Sequence, residues 1–176
     1  LVNLIGLHLL TYQLTIARHL LNPSTRVRFI CEMVAPKKTL VREISCDEYQ
    51  DNNLLPAQAV ETFIAKIEAS PEWQQALVEY GAFEKCKRML QQWARWGDEY
   101  DGPNDPQKLM TALRQAAIKR HRQHVANIHR NYGREIGLVS KRGTVKLRYA
   151  PTDSLLKTLL FANVEKRVEL YQFLDI

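Results

Sequence analysis

The stretch that most limits what this chain can become runs from Pro106 to Tyr149, PQKLMTALRQAAIKRHRQHVANIHRNYGREIGLVSKRGTVKLRY. Met110, Leu113, Ala117, Val125, Ile128 and Tyr132 fall on one face of a helical wheel. That period predicts a single long amphipathic helix from Pro106 to Tyr132. Asp105 suits its N-cap, Pro106 its first helical position and Gly133 its end. Ile136–Ser140 and Thr144–Tyr149 then read as two short strands around a Lys141-Arg142-Gly143 turn, and Ala150-Pro151-Thr152-Asp153 opens a further helix.

Upstream, Leu1–Leu21 is apolar enough to raise a membrane-spanning reading. Its polar groups gather on one side and include Arg18, so an amphipathic, largely buried helix is expected and no membrane partner. Arg26–Val34 and Thr39–Ser45 are rich in β-branched residues about a turn-like spacer, which predicts a β-hairpin over residues 26–45. Asp47–Asn53 is expected as loop. Helices follow at Pro56–Ala69, after Ser70-Pro71-Glu72, and over Phe83–Trp96 with Gly97 as C-cap. Trp73 and Trp93 fit core positions; Trp96 lies off the apolar stripe, so an interface is the alternative to its default place in the core. A last helical pattern starts near Glu165. The fold class is therefore mainly α with two small β-hairpins (α+β), multi-helical, with a winged-helix-like C-terminal module. The expected organisation is a helical unit with its hairpin over residues 1–97, an acidic linker at 98–105, and a basic helix–hairpin–helix module over 106–176. The chain starts at Leu1 and stops inside a helical pattern, as expected of a piece of a longer protein.

At 176 residues, with 45% hydrophobic and 25% charged, the chain is long enough to bury a core without a covalent staple. Its net charge of +6 is unevenly spread. Acidic residues concentrate between Glu43 and Asp105, while the Pro106–Tyr149 stretch has a single acid, Glu135. Such asymmetry points to a polyanionic partner. Lys108, Lys119, Arg122 and Arg130 share the face of the predicted helix opposite its apolar side. Lys141 and Arg142 sit at the hairpin tip, and alternation sends Lys146 and Arg148 to one side. A helix, a basic hairpin and a helix in that order are the arrangement of a winged-helix module facing a phosphate backbone.

Other chemistries find little support. There is no phosphate-binding glycine loop, nucleophile elbow or dinucleotide fingerprint, so no cofactor is expected. Cys31, Cys46 and Cys86 lack metal-ligand or redox spacing and suit buried thiols in a reducing, cytoplasmic setting. The acidic loop Asp98–Asp105 fails the alternation that calcium ligands need. His121 and His124 are spaced for one helix face, but nothing nearby completes a metal set. His124, Asn127 and His129 lie within one predicted helix, not in the hairpin–helix setting of a His-Asn-His nuclease.

The C-terminal segment LRYAPTDSLLKTLLFANVEKRVELYQFLDI resembles the tail regions of large proteins from bacterial phage-defence and restriction systems. The similarity covers the last third of the chain and contains no diagnostic motif. It implies a bacterial cytoplasmic protein in a DNA-targeting complex, with other protein subunits as partners and no catalytic residue carried over. The expected function is a non-catalytic nucleic-acid-binding domain, DNA ahead of RNA. The alternatives are a scaffold that sets its basic face on an acidic protein and, behind that, part of a nuclease completed by chain outside this sequence.

Overall fold

A computed structural model of the chain describes residues 1–24, 26–33, 40–141 and 146–164. Among them the protein is mainly helical with a small two-stranded antiparallel sheet. The order is α1 (Val2–Leu21), α2 (Leu40–Glu68), α3 (Pro71–Val78), α4 (Ala82–Ala94), α5 (Pro106–His124), α6 (Ile128–Glu135), β1 (Val139–Ser140), β2 (Arg148–Tyr149) and α7 (Asp153–Asn163). In the sheet Val139 pairs with Tyr149 and Ser140 with Arg148. No helix among the described residues is long and apolar enough to cross a membrane.

Local signals placed several boundaries correctly. The Ser70 hydroxyl accepts from the Trp73 amide at 3.2 Å, Asp105 from Gln107 at 2.8 Å and Thr152 from Leu155 at 3.3 Å. Each satisfies an amide that the first helical turn leaves free.

The hairpin expected over 26–45 is not formed. Residues 26–33 form no regular element and lie beside β2, where the Glu32 amide donates to the Tyr149 carbonyl at 2.9 Å. Residues 34–39 lie outside the described set, and the second expected strand is the start of α2. The expected loop Asp47–Asn53 is helical too. The reason is a buried stripe, Ser45, Tyr49, Asn52, Leu55 and Ala59, whose spacing is helical although two of its members are polar. Pro56 lies inside α2 instead of starting it. At 29 residues the helix is ~44 Å long, given ~1.5 Å per residue.

That length matters because α2 serves two hydrophobic clusters. The first joins Leu10 and Leu14 of α1 and Tyr49 and Leu55 of α2 to Ile136, Val139, Tyr149 and Leu155. The second joins Ile64 and Ile67 of α2 to Trp73, Cys86, Leu90, Leu109 and Leu113. Segment 98–105 connects α4 to α5, and both helices belong to the second cluster, so the apolar packing does not divide there. Cys86 is fully buried at its centre.

The long helix expected over 106–132 breaks. The Ala126 amide turns back to the His121 carbonyl at 2.9 Å, α5 stops at His124, and α6 restarts at Ile128. Gly133 does not end a helix. It lies within α6, and a Cβ there would meet Val139 Cγ2 at 2.5 Å, so its bare backbone lets α6 lie against β1. The helix ends at Gly137, whose φ is 77°. Leu138 and Gly137 amides return to the Gly133 and Arg134 carbonyls at 2.8 and 3.0 Å, the paired hydrogen bonds of a Schellman cap. Likewise α4 is ended not by Gly97 but by Arg95, which takes the left-handed conformation with φ 52°. The helical pattern from Glu165 lies outside the described residues.

Candidate nucleic-acid interface

The break between α5 and α6 resets the helical phase, and with it the surface that the basic residues occupy. On α6 the buried face is His129, Gly133 and, at the cap, Ile136. Tyr132, expected on the apolar side, is 48% exposed. The opposite face carries Asn127, Arg130, Asn131 and Arg134, all exposed and spaced i, i+3, i+4, i+7. Lys108, Lys119 and Arg122 are exposed on α5. Lys141 and Lys146 are exposed at the ends of β1 and β2. The register Ser140↔Arg148 places Lys141 just past β1 and Lys146 just before β2, at the same end of the sheet.

None of Lys108, Lys119, Arg122, Arg130, Arg134, Lys141 and Lys146 forms an ion pair with another described residue. Arg114 differs: Glu61 at 3.4 Å and Glu68 at 2.7 Å neutralise it. Lys108 stands apart from the rest, at the start of α5 and ~16 Å along the axis from Lys119 at ~1.5 Å per residue. Arg142 lies outside the described residues.

Arg148 corrects the expected surface. It does not point outward with Lys146; it is 2% exposed and pairs with buried Glu32. Arg42 Nε and Nη2 reach the same carboxylate, through Oε1, at 2.9 and 2.8 Å. The Arg42 hydrogen bonds hold the Glu32 carboxyl below the usual carboxylate range, against burial, with the Arg148 charge assisting. Alternation does not put Lys146 and Arg148 on one surface here, because Arg148 turns inward to meet Glu32 while Lys146 stays exposed.

A second polar group beneath α6 fixes its position. Asn52 Nδ2 donates to the Tyr149 hydroxyl at 3.0 Å, and that hydroxyl lies 2.8 Å from His129 Nε2. A phenol has one proton, so a hydroxyl that accepts from Asn52 donates it to Nε2 and leaves the imidazole proton on Nδ1. Burial pushes the His129 pKa down to about 4, so the ring is neutral at pH 7. The Asn52 backbone carbonyl acts the other way. Pro56, four residues on, has no N–H to give that carbonyl. The contact is longer or less aligned than an ordinary hydrogen bond, since Nδ1 has no partner in range. Burial also raises the Tyr149 hydroxyl. The Ser45 hydroxyl completes the hold on β2, accepting from the Tyr149 amide at 3.0 Å and donating to its carbonyl at 2.9 Å. Through these bonds the network ties β2 to α2 and α6 and acts as a brace.

His121 and His124 line one groove, with His121 partly buried and its pKa lowered by that burial. Among the described residues no cluster of three or more His, Cys, Asp or Glu could hold a metal ion. His124, Asn127 and His129 fall in three different settings: the end of α5, the turn and the buried side of α6.

The sequence reading missed Asn131 and Arg134. A wheel drawn through an unbroken helix puts them out of phase with Lys119 and Arg122. The signal that finds them is the i, i+4 pair His129 and Gly133, whose burial marks the inner face of a separate short helix. Protein-family models, curated proteins and solved structures were all compared with the chain, and none matches it significantly.

Proposed function

We propose that this protein is a non-catalytic nucleic-acid-binding module, DNA ahead of RNA, within a larger cytoplasmic assembly. The resemblance of its C-terminal third would make that assembly a bacterial phage-defence complex. The observation that carries the reading is the exposed α6 stripe of Asn127, Arg130, Asn131 and Arg134, without an ion-pair partner among the described residues and braced against a two-stranded sheet flanked by exposed Lys141 and Lys146. Arginine and asparagine are the side chains that pair bidentately with guanine and adenine edges. An α-helix is about 10–12 Å across with its side chains, which fits a major groove about 12 Å wide. A short exposed helix followed by a basic hairpin supports the winged-helix-like reading.

Titration of labelled duplex DNA at two salt concentrations tests this. Arg130→Ala with Arg134→Ala is expected to weaken binding about tenfold or more and to flatten the salt dependence by about two counterions. Lys141→Ala with Lys146→Ala is expected to do the same without altering sequence preference. Unchanged affinity and slope in both double variants would sink the reading.

Partner subunits have a separate support. Val2, Ile5, Leu9, Tyr12 and Ile16 of α1 are exposed and spaced 3, 4, 3, 4, the a/d seam of a paired helix. A subunit helix laid along α1 would cover them. Leu9→Lys is expected to leave helicity and DNA affinity intact while abolishing co-elution with that subunit; retained co-elution removes the seam from the interface.

A further inference from the structure

Where the two hydrophobic clusters meet, α1, α2, α4 and α5 leave an open groove of about 730 Å³. The volume falls in the range of small-molecule sites, which are mostly apolar with a few placed polar groups. Each helix turns an alanine into it, Ala17, Ala59, Ala94 and Ala117, and this absence of bulk makes the room. Ile16, Leu20, Phe63, Trp93 and Leu113 form the walls. Trp93 is a correction to the sequence reading: expected in the core, it is 37% exposed on this groove. Trp96 takes its default place instead of the interface alternative: it is half-buried against the second cluster, with its ring centroid 6.2 Å from that of Tyr100.

The ionisable residues of the groove are all bases, and Gln13 is its one neutral polar side chain among the described residues. Arg95, Arg120, His121 and His124 line it, and no described lining residue is acidic. Two polar atoms of lining residues, Gln13 Oε1 and His121 Nε2, are buried without a hydrogen-bond partner. Buried polar atoms are normally satisfied, so an unmet pair beside an apolar hollow marks a missing polar group. Arg95 adds a conformational sign. It occupies the left-handed region at the end of α4, where glycine would be free of strain, yet the residue there is an arginine that lines the groove.

We propose that this groove binds an amphipathic anion, a single acyl or aromatic chain carrying a carboxylate or phosphate head. The chain lies on the alanine floor between Ile16, Phe63 and Trp93. The head meets Arg95 and Arg120, and His121, carrying its proton on Nε2, donates a hydrogen bond to it. The proposal is independent of the α6 surface, which faces other residues.

Calorimetric titration below the micelle threshold tests it, with dodecanoate, dodecyl phosphate and dodecanol as probes. Saturable one-to-one binding is expected for at least one of the anions, and the preference between them tells a carboxylate from a phosphate ligand. Dodecanol is expected to bind at least about tenfold more weakly, the worth of a charge-assisted hydrogen bond. Arg95→Gly is the diagnostic variant: it is expected to lose about tenfold in anion affinity while melting no lower than the parent. Ala117→Phe is expected to fill the groove and abolish binding. Equal binding of dodecanol and dodecanoate, non-saturable uptake, or full affinity in Arg95→Gly combined with Arg120→Ala would each overturn the proposal.

Discussion

The Tyr149 hydroxyl and His129 Nε2, 2.8 Å apart and both buried, tie β2 to α6. The hairpin and the helix that carry the exposed cations are thus held in one relative position by a hydrogen bond directed from Asn52 through Tyr149 to a neutral imidazole. A surface built on two elements keeps its geometry only while that bond is made.

This brace is sensitive to acid. His129 is neutral when folded, with its pKa near 4, but takes up a proton near 6.5 once unfolded. Below pH 6.5 the unfolded chain therefore binds more protons, and stability falls until about pH 4. The shift of ~2.5 units corresponds to roughly 3 kcal/mol in all. His121, lowered in the same direction, adds a smaller part. Urea unfolding of the parent and of His129→Gln across pH 7 to 4.5 checks this: the variant's stability should be the flatter. Parallel curves would show that His129 is not the titrating group.

Gly133→Ala probes the approach of α6 to the hairpin. The added methyl would stand 2.5 Å from Val139 Cγ2, closer than any real contact. Overpacking of this kind costs about 1–3 kcal/mol, more than the modest helix-propensity gain of alanine. Val139→Ala in the same chain should recover much of the loss, giving a favourable coupling in a double-mutant cycle. Additive losses would place the strain elsewhere.

Glu32→Gln removes the carboxylate charge that faces both Arg42 and Arg148. Removing one member of a buried ion pair costs about 3–5 kcal/mol, and the expected loss is of that order. The lowered Glu32 pKa adds stability above its ordinary value that disappears as pH falls through the folded value. In the variant that part of the acid sensitivity should be absent. A melting temperature within a degree of the parent's would contradict the interior role of this carboxylate.

The parts of the fold legible in the sequence are those fixed by neighbours. Ser70, Asp105 and Thr152 cap helices because a side chain reaches an amide two or three residues on. What the sequence concealed was decided across the chain. Ser45 and Asn52 look like solvated residues until Tyr149 arrives to bond them, so the start of α2 resembled strand and loop. Arg148 looks like a surface cation until Glu32 meets it. Charge alone marked Lys108, Lys119, Arg122, Arg130, Lys141 and Lys146 as a candidate basic surface, and all six are exposed. Its shape was misjudged because a break at Val125–Asn127 carries no proline or glycine to announce it.

The double service of α2 also sets an order of events. The second cluster draws on a nearly continuous run, from Ile64 to Leu113, and can close as soon as that run exists. The first must wait for Ile136, Val139, Tyr149 and Leu155 to reach α1, so the longest loop in the molecule closes last. On a ribosome α1 would emerge before α6 and β2 and remain without their cover until they were made, a natural client for a chaperone. Pulse-labelled hydrogen exchange during refolding should protect α3, α4 and α5 before α1 and α6; simultaneous protection would mean that the two clusters form as one.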